Sequence, residues 1–170
     1  MIYLNIGSNL SSKEGDRKNN ILKAITYLKK LKLNLIKISS FYETPSYPNN
    51  SDPKFINLCV KLECNLKASE LLNEIKKIEK KLGRIRTKKN EPRTCDIDII
   101  DFNGEIIKND DLEAPHPRLH LRNFVIYPLK EIEPDWSHPI FDKKIDSFFQ
   151  ELDKNSHNEI TRLSKSDILN

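Results

Sequence analysis

The amino-acid sequence predicts a single α+β domain with a mostly antiparallel sheet and two helices packed on one face of it. Four short segments alternate apolar and polar residues or are rich in aliphatic and aromatic residues, as strands are. Two longer segments repeat their apolar residues with the period of an α-helix. The length of 170 residues allows one domain at roughly 150 residues per domain, and we expect it to span residues 1–170 with a polar tail from about residue 154.

The first half of the chain contains two strands and a helix. Residues 2–6 alternate and predict a strand, and the Gly-Ser-Asn triplet that follows is expected to end it. Residues 16–31 carry apolar residues at helical spacing, and residues 33–42 are rich in Leu, Ile and aromatics, which favours a second strand. Residues 44–53 contain three prolines and two asparagines, which predict a loop.

The second half repeats this pattern. Residues 55–63 alternate and predict a strand, residues 68–82 predict a helix, and Gly83 is a suitable residue to end that helix. Residues 95–102 predict a further strand, which Asn103-Gly104 should turn into a hairpin. A short helix is expected near residues 125–132, and the tail beyond Asp153 should fray because it is polar.

The resulting order of strand, helix, strand, strand, helix, strand is the ferredoxin-like βαββαβ arrangement, followed here by C-terminal additions. With both helices on one face of the sheet, the other face must be covered by the long loops or must be the working surface.

Composition excludes several classes of protein. No apolar run approaches the ~18 residues of a membrane-spanning helix, and the first residues do not resemble a signal peptide. The three cysteines form no Cys-x-x-Cys pair, which favours a reducing compartment and argues against structural zinc. The formal net charge of +4 is only mildly basic, so it is weak support for nucleic-acid binding. We therefore expect a cytoplasmic protein without a membrane or nucleic-acid partner.

Two aspartates on one predicted strand give the sharpest local signal. Asp96 and Asp98 are two residues apart, so their side chains should share one face at a spacing of ~7 Å. Such carboxylates repel each other unless a cation lies between them or one is protonated. They suit Mg²⁺, which completes its coordination shell with substrate phosphates and water. The alternative is an exposed strand face with two solvated acids.

Arginine is concentrated beside these acids. The chain has seven arginines against 22 lysines, and five of the seven lie between residues 84 and 122. The planar guanidinium group matches phosphate oxygens, so this stretch indicates an anionic ligand, although surface ion pairs would give the same pattern. The segment from Pro115 to Arg122 adds two histidines and could face phosphates or simply pack.

Two further features allow either a functional or a structural interpretation. Phe55 and Asn57 share a strand face beside the Pro-rich loop, where a ring can stack on a flat heterocycle and an amide can bind its edge. Packing and turn capping would explain the same pair. Glu79 lies near the apolar stripe of the second helix, where it could pair with Arg84 or Arg86 or remain a solvated acid.

Several ordered motifs together resemble 6-hydroxymethyl-7,8-dihydropterin pyrophosphokinase, the folate-pathway enzyme. The resemblance covers roughly residues 2 to 139. The motifs are Ile6-Gly7-Ser8-Asn9-Leu10, Ser40-Phe41-Tyr42-Glu43-Thr44-Pro45, Phe55-Ile56-Asn57, Leu82-Gly83-Arg84-Ile85-Arg86, Pro92-Arg93-Thr94-Cys95-Asp96-Ile97-Asp98, Ala114-Pro115-His116-Pro117-Arg118 and Arg122-Asn123-Phe124-Val125. The family often has an aromatic-Gly pair where this chain has Asn90-Glu91.

The resemblance implies that the dihydropterin hydroxymethyl oxygen attacks the β-phosphorus of ATP and that AMP leaves. It implies two Mg²⁺ ions, ATP as co-substrate and the following site residues. Asp96 and Asp98 would hold the metal ions, Arg84 and Arg93 would be catalytic, Glu79, Arg86, His116 and Arg122 would bind ATP, and Thr44, Pro45, Tyr47, Phe55, Asn57 and Phe124 would bind the pterin. We expect a monomer whose partners are these small-molecule substrates.

Two other functions remain open from the residues alone. A Mg²⁺-dependent phosphohydrolase could use the same carboxylate pair, but it would not need the Phe55–Asn57–Phe124 pocket. A ferredoxin-like RNA-binding module would need aromatic residues along a central strand, and residues 55–63 offer only one.

Overall fold

The computed structural model describes residues 1–31, 33–85 and 91–163. Within these ranges the strands are β1 (Ile2–Ser8), β2 (Asn34–Ile38), β3 (Tyr42–Thr44), β4 (Phe55–Glu63), β5 (Asp96–Phe102), β6 (Ile107–Lys108), β7 (Glu113–Ala114), β8 (Ser137–His138), β9 (Lys143–Lys144) and β10 (Thr161–Arg162). The helices are α1 (Arg17–Lys30), α2 (Ala68–Lys81), α3 (Asn123–Ile132), α4 (Ile145–Glu151) and α5 (Lys154–Asn158), with a 3₁₀ turn at Leu119–Leu121.

The main sheet is antiparallel and has β1 near its centre. β1 pairs with β4 on one side and with β5 on the other. β2 and β3 pair with opposite ends of β4, and β10 pairs with the outer edge of β3. The sheet therefore combines elements from both ends of the chain.

The single strand that we expected over residues 33–42 is instead two strands, β2 and β3. Between them, the Ser39 N–H donates to Cys59 O at 2.9 Å, and the Cys59 N–H donates to Ser39 Oγ at 2.9 Å. A side-chain oxygen thus replaces a main-chain carbonyl in the ladder, which interrupts the regular strand without leaving the Cys59 amide unpaired.

One face of the sheet is covered by α1 and α2. The apolar residues of this core include Ile2, Leu4 and Ile6 of β1, Ile21, Ala24, Ile25 and Leu28 of α1, and Leu71, Ile75, Ile78 and Leu82 at α2. Asp16 caps α1 by accepting a hydrogen bond from the Asn19 N–H at 2.8 Å, and Gly83 ends α2 with φ of 84°.

The opposite face is divided between a second core and an open cleft. The two predicted helices share one face as expected, but the expectation that loops cover the other face is corrected, because α3 and α4 cover Tyr3, Cys59 and Ile100 there. Helices α3 and α4 both belong to the segment after β7, and their apolar residues are buried against this second face of the sheet. The other half of this face, towards Gly7, is left open.

Two expectations about chain connections are also corrected. Asn103 and Gly104 have φ of 57° and 71° as a tight turn requires, but the strand after them, β6, pairs with β7 rather than with β5. The chain after β7 runs beside β5 instead, where the His116 N–H donates a hydrogen bond to Ile100 O at 2.9 Å. The tail does not fray up to residue 163, because it forms α5 and β10.

None of the helices in the described ranges has both the length and the apolar character required to cross a membrane.

Candidate active site

A cleft of about 860 Å³ occupies the open half of the sheet face. Gly7 of β1 pairs with Asn57 of β4 on one side and with Asp96 of β5 on the other, and Asn5 similarly pairs with Asp98. Directly paired residues project to the same face of a sheet, so these side chains form rows across the cleft floor. Two strand spacings separate Asn57 from Asp96, a distance of ~10 Å.

The acidic end of the cleft is formed by Asp96 and Asp98, as alternation along the strand predicts. Burial, followed by the charge of Asp96, raises the pKa of Asp98 to about 7. The Asp98 side chain keeps 32% of its exposure and so remains accessible from the cleft. Among the described residues no group of three or more histidine, cysteine or acidic side chains forms a metal-binding cluster. Two accessible carboxylates without a protein third ligand fit Mg²⁺ that shares its coordination shell with phosphates.

Arg84 lies between two acids at this end. Its Nη1 donates to Asp96 Oδ1 at 2.6 Å and also to Glu79 Oε1. Burial alone would lower the pKa of Arg84, but the facing carboxylates more than offset this effect and raise it. Glu79 is only 2% exposed and also accepts a hydrogen bond from the Ile97 N–H at 2.9 Å. Glu79 thus fixes the guanidinium from behind and does not line the cleft.

Arg93 is held through its main chain and also through its side chain. Its N–H donates to Asn9 Oδ1 at 2.6 Å, and its carbonyl accepts from the Asn9 N–H at 3.1 Å. Its Nε lies 3.1 Å from Asp96 Oδ2 but is buried without a hydrogen-bond partner in the described part of the chain. The guanidinium also lies 5.3 Å from the centre of the Phe55 ring. The main chain of Arg93 is therefore fixed by Asn9, and its guanidinium is held beside Asp96 at the acidic end of the cleft.

Asn9 connects this arginine to the Pro-rich loop. Its Nδ2 donates to Ser46 Oγ at 3.2 Å and to Pro53 O at 3.1 Å, and the residue is 2% exposed. A single buried amide thus joins the turn after β1, both ends of the loop and the segment before β5. The Gly-Ser-Asn triplet indicated only a strand end.

Arg122 and His116 lie beside Asp98. Arg122 Nη1 is 3.5 Å from Asp98 Oδ2 and 3.3 Å from His116 Nε2. His116 Nδ1 accepts the Arg118 N–H at 3.1 Å, while His116 Nε2 faces Arg122 Nη1, which can only donate. Burial, then Arg122 and Arg118, lower the pKa of His116 to about 4, so the ring is neutral near pH 7. Both ring nitrogens therefore lie beside donors, which suits a neutral imidazole next to the Arg122 guanidinium at the edge of the cleft.

The other end of the cleft is aromatic and contains all six residues expected there. They are Thr44, Pro45, Tyr47, Phe55, Asn57 and Phe124. The Arg122 guanidinium lies 5.4 Å from the centre of the Phe124 ring. A Cβ on Gly7 would stand 2.4 Å from Asn57 Oδ1, so the buried amide occupies the space that the missing side chain leaves.

The structure brings together twelve of the fourteen predicted site residues as cleft-lining residues. They are Thr44, Pro45, Tyr47, Phe55, Asn57, Arg84, Arg93, Asp96, Asp98, His116, Arg122 and Phe124. Glu79 supports the cleft from behind. Arg86 lies outside the described residues, as does Asn90, where the chain differs from the usual family pattern.

Sequence reasoning missed several residues of the cleft. Asn5 shares its strand face with Gly7, so alternation along β1 could have indicated it. Ser156 and Glu159 also line the cleft, but they belong to the polar tail, where no periodic signal marks them.

Comparison with known proteins identifies the family of the chain. The profile of the family described as 7,8-dihydro-6-hydroxymethylpterin-pyrophosphokinase (HPPK) matches residues 3–134. A pyrophosphokinase named for 2-amino-4-hydroxy-6-hydroxymethyldihydropteridine from Aquifex aeolicus is 42% identical over 147 residues, covering 86% of this chain and 89% of the relative. The Bacillus subtilis protein of the same name is 38% identical over 131 residues, 76% of each chain.

Solved structures with the same fold belong to longer chains. An HPPK-DHPS structure in complex with substrates gives a TM-score of 0.69 at 16% identity, covering 95% of this chain and 48% of the other. The HPPK-DHPS A437G/K540E structure from Plasmodium falciparum gives 0.68 at 17% identity, covering 95% and 46%. This chain thus spans about half of those chains. From the matched span and the identity to its relatives, the chain belongs to the 7,8-dihydro-6-hydroxymethylpterin-pyrophosphokinase family.

Proposed function

We propose that the chain transfers the pyrophosphoryl group of ATP to the hydroxymethyl group of 6-hydroxymethyl-7,8-dihydropterin and releases AMP, as a step of folate biosynthesis. The observation that carries the proposal is the row Asn57–Gly7–Asp96, which places an aromatic pocket and an acidic pair in one cleft. An attacking group and a phosphate chain bound at its two ends would meet over β1. Holding two reactants together in this way is a main source of rate in phosphoryl transfer.

The aromatic end would bind the pterin. Phe55 and Phe124 would stack on the heterocycle, and Asn57 would supply a donor and an acceptor to its edge. Thr44, Pro45 and Tyr47 would form the remaining wall. The Phe55 and Phe124 ring centres lie 5.3 and 5.4 Å from an arginine guanidinium, respectively. The bound heterocycle would therefore be adjacent to positive charge.

The acidic end would bind the phosphates and Mg²⁺. Asp96 and Asp98 would hold the metal, for which we propose two ions, and the metal would neutralise phosphate charge when bound. Arg84 and Arg93 would meet charge on the transferring group, while His116 and Arg122 would hold the nucleotide. Glu79 would act through Arg84 by fixing its guanidinium, and for Arg86 the nucleotide role stays a prediction.

The reaction balances without a covalent enzyme intermediate. The hydroxymethyl oxygen forms a bond to the β-phosphorus, the bond from that phosphorus to the bridging oxygen of AMP breaks, and the hydroxyl proton is released. The protein contributes position and charge, and it must exclude water to prevent hydrolysis of ATP. A phosphohydrolase would have no use for the aromatic end, and no feature of the described residues favours RNA binding.

We also propose finer assignments of fold and setting. The strand order β5-β1-β4-β2, all antiparallel, with α1 and α2 on one face supports a ferredoxin-like fold. That the chain acts as a cytoplasmic monomer with a single domain over residues 1–170 stays a prediction from its sequence.

The decisive experiment identifies the nucleotide product. The protein is incubated with ATP, Mg²⁺ and 6-hydroxymethyl-7,8-dihydropterin, and the products are separated by anion-exchange chromatography. We expect AMP and the pterin diphosphate in equal amounts, and ADP or free phosphate would reject pyrophosphoryl transfer.

Asp96→Asn and Asp98→Asn should each lower turnover by ~10²–10⁴-fold while leaving the fold intact, because they remove a metal ligand without changing side-chain shape.

A further inference from the structure

The C-terminal segment from Asp153 to Leu163 follows the span matched by the family profile, which ends at residue 134. It nevertheless lies against the cleft, and Ser156 and Glu159 line it together with the residues of the aromatic end. The segment therefore forms part of the site wall although it lies beyond the span that the family profile matches.

The segment extends the sheet beside β3. Thr161 pairs with Glu43 and Arg162 with Tyr42, and the Leu163 N–H donates to Phe41 O at 2.9 Å. β3 is only three residues long and pairs with β4 on its other side. Without β10 it would be an edge strand held along one side only.

A carboxylate on α3 locks this pairing. Glu131 Oε1 accepts from Arg162 Nη2 at 2.7 Å and from Ser40 Oγ at 2.8 Å. Glu131 Oε2 accepts from the Ser40 N–H at 3.0 Å and from Tyr42 Oη at 2.9 Å. Arg162 Nε also donates to Ser40 Oγ at 3.0 Å. Four residues from three separate stretches of chain thus meet at one carboxylate.

The start of the segment is fastened to the same helix. Asn123 Nδ2 donates to Ser156 O at 2.7 Å, and Tyr127 Oη lies 2.7 Å from His157 Nδ1. The Tyr127 ring also contacts Tyr42, with 5.9 Å between ring centres. The segment is therefore attached to α3 at its beginning and to β3 at its end.

We infer that the segment Asp153–Leu163 positions the aromatic end of the cleft, with Arg162 as the positioning residue that holds β3 so that Thr44 and Pro45 face the heterocycle. Thr44 ends β3 and Pro45 follows it, so the position of both depends on that short strand. The acidic end is built on β5, which the segment does not touch in the sheet. Loss of Arg162 should therefore weaken binding of the heterocycle and not binding of the nucleotide. This inference rests on the proposed function.

The test measures two ligands separately. Binding of 6-hydroxymethylpterin, the oxidised and unreactive heterocycle, is followed by its fluorescence, and binding of α,β-methylene-ATP with Mg²⁺ is followed by calorimetry. The variants are Arg162→Ala and Arg162→Lys, with Lys144→Ala as the matched control. Arg162 and Lys144 side chains are both 62% exposed and both form an ion pair, but Lys144 contacts Asp135, away from β3.

Arg162→Ala should raise the Kd for the pterin by about three- to tenfold, the scale of one ordinary net hydrogen bond, because the effect is indirect, and leave the Kd for the ATP analogue unchanged. Arg162→Lys should recover part of the loss because it keeps the charge beside Glu131. Lys144→Ala should bind both ligands as the unmodified protein does.

Equal weakening of both ligands, no change in either, or an equal effect of Lys144→Ala would overturn the inference. If the unmodified protein binds the ATP analogue but no pterin, the proposed function fails and this inference falls with it. If the unmodified protein binds the pterin and Arg162→Ala binds it equally well, only the positioning role is rejected. Thermal unfolding of each variant separates selective loss from general destabilisation.

Discussion

Replacing Gly7 by alanine should damage pterin binding while leaving nucleotide binding intact. A Cβ at this position would stand 2.4 Å from Asn57 Oδ1, whereas ordinary contact begins near 3.4 Å. The amide oxygen would therefore have to move by about 1 Å, enough to break a hydrogen bond of ordinary length. Asp96, the partner of Gly7 on the other side, has no atom among the three nearest to the new Cβ.

The protein should still fold with alanine at this position. Gly7 is not among the glycines with positive φ, so the backbone accepts a side chain, and alanine is ~0.5–1 kcal/mol more favourable than glycine within a strand. The obstacle is the far end of one side chain rather than main chain. We therefore expect the thermal midpoint to stay close to that of the unmodified protein.

Displacing the amide should cost ~1–3 kcal/mol of binding free energy, since polar atoms of the buried heterocycle lose their partners. This corresponds to a rise of about 5- to 150-fold in the Kd for 6-hydroxymethylpterin, measured by fluorescence titration. The Kd for α,β-methylene-ATP with Mg²⁺ should not change.

A double-mutant cycle tests the proposed cause. Asn57→Ala alone should produce a loss of similar size, and adding Gly7→Ala to it should cost almost nothing more, because the clashing oxygen is already gone. The reasoning is refuted if Gly7→Ala binds the pterin normally, or if its loss is as large in the Asn57→Ala background as on its own.

Three further predictions concern the charged end of the cleft. Because the pKa of Asp98 is raised to about 7 in the metal-free protein, Mg²⁺ must displace a proton there at lower pH. Well below pH 7, the affinity for Mg²⁺ should fall by about tenfold for each unit by which the pH is lowered. Calorimetry on Asp98→Asn should show that its Mg²⁺ affinity depends less on pH. Arg84→Ala removes one ion-pair partner of the buried Glu79, so it should lower the free energy of unfolding by at most ~3–5 kcal/mol in a denaturant titration, and adding Glu79→Gln should restore part of that loss. Arg93→Ala should lower kcat by ~10²–10³-fold, whereas Arg122→Ala should mainly raise the KM for ATP, and steady-state kinetics that showed the reverse would exchange their roles.

The local elements could be predicted because their signals are local. The strand over residues 55–63 and the helix beginning at residue 68 follow from the hydrophobic period, and the structure has them at β4 and α2. β1 extends to Ser8, beyond the predicted end at residue 6. Gly7 and Ser8 pair with β4, and this distant pairing outweighs the tendency of the Gly-Ser-Asn triplet to end a strand.

The tail could not be predicted because its order depends on distant residues. Its polarity indicated fraying, yet Arg162 donates to Ser40, 122 positions earlier in the chain. Neither residue has a local pattern that points to the other. This polar segment becomes ordered because its partners are mainly a strand edge and a carboxylate, with Leu163 packing against the apolar core.

The position of the cleft depends on β1, and the alternation of side chains along this strand partly indicates it. Tyr3, Asn5 and Gly7 project to the same face of β1, and their side chains shrink from an aromatic ring to an amide to a hydrogen atom. Tyr3 belongs to the core under α3 and α4, whereas Asn5 lines the cleft, so the helical cover ends between them. Each predicted pair, Phe55 with Asn57 and Asp96 with Asp98, was visible on its own strand. What the sequence pattern could not provide was that β1 lies between them, and the small side chain of Gly7 is what allows both pairs to face one ligand-sized space.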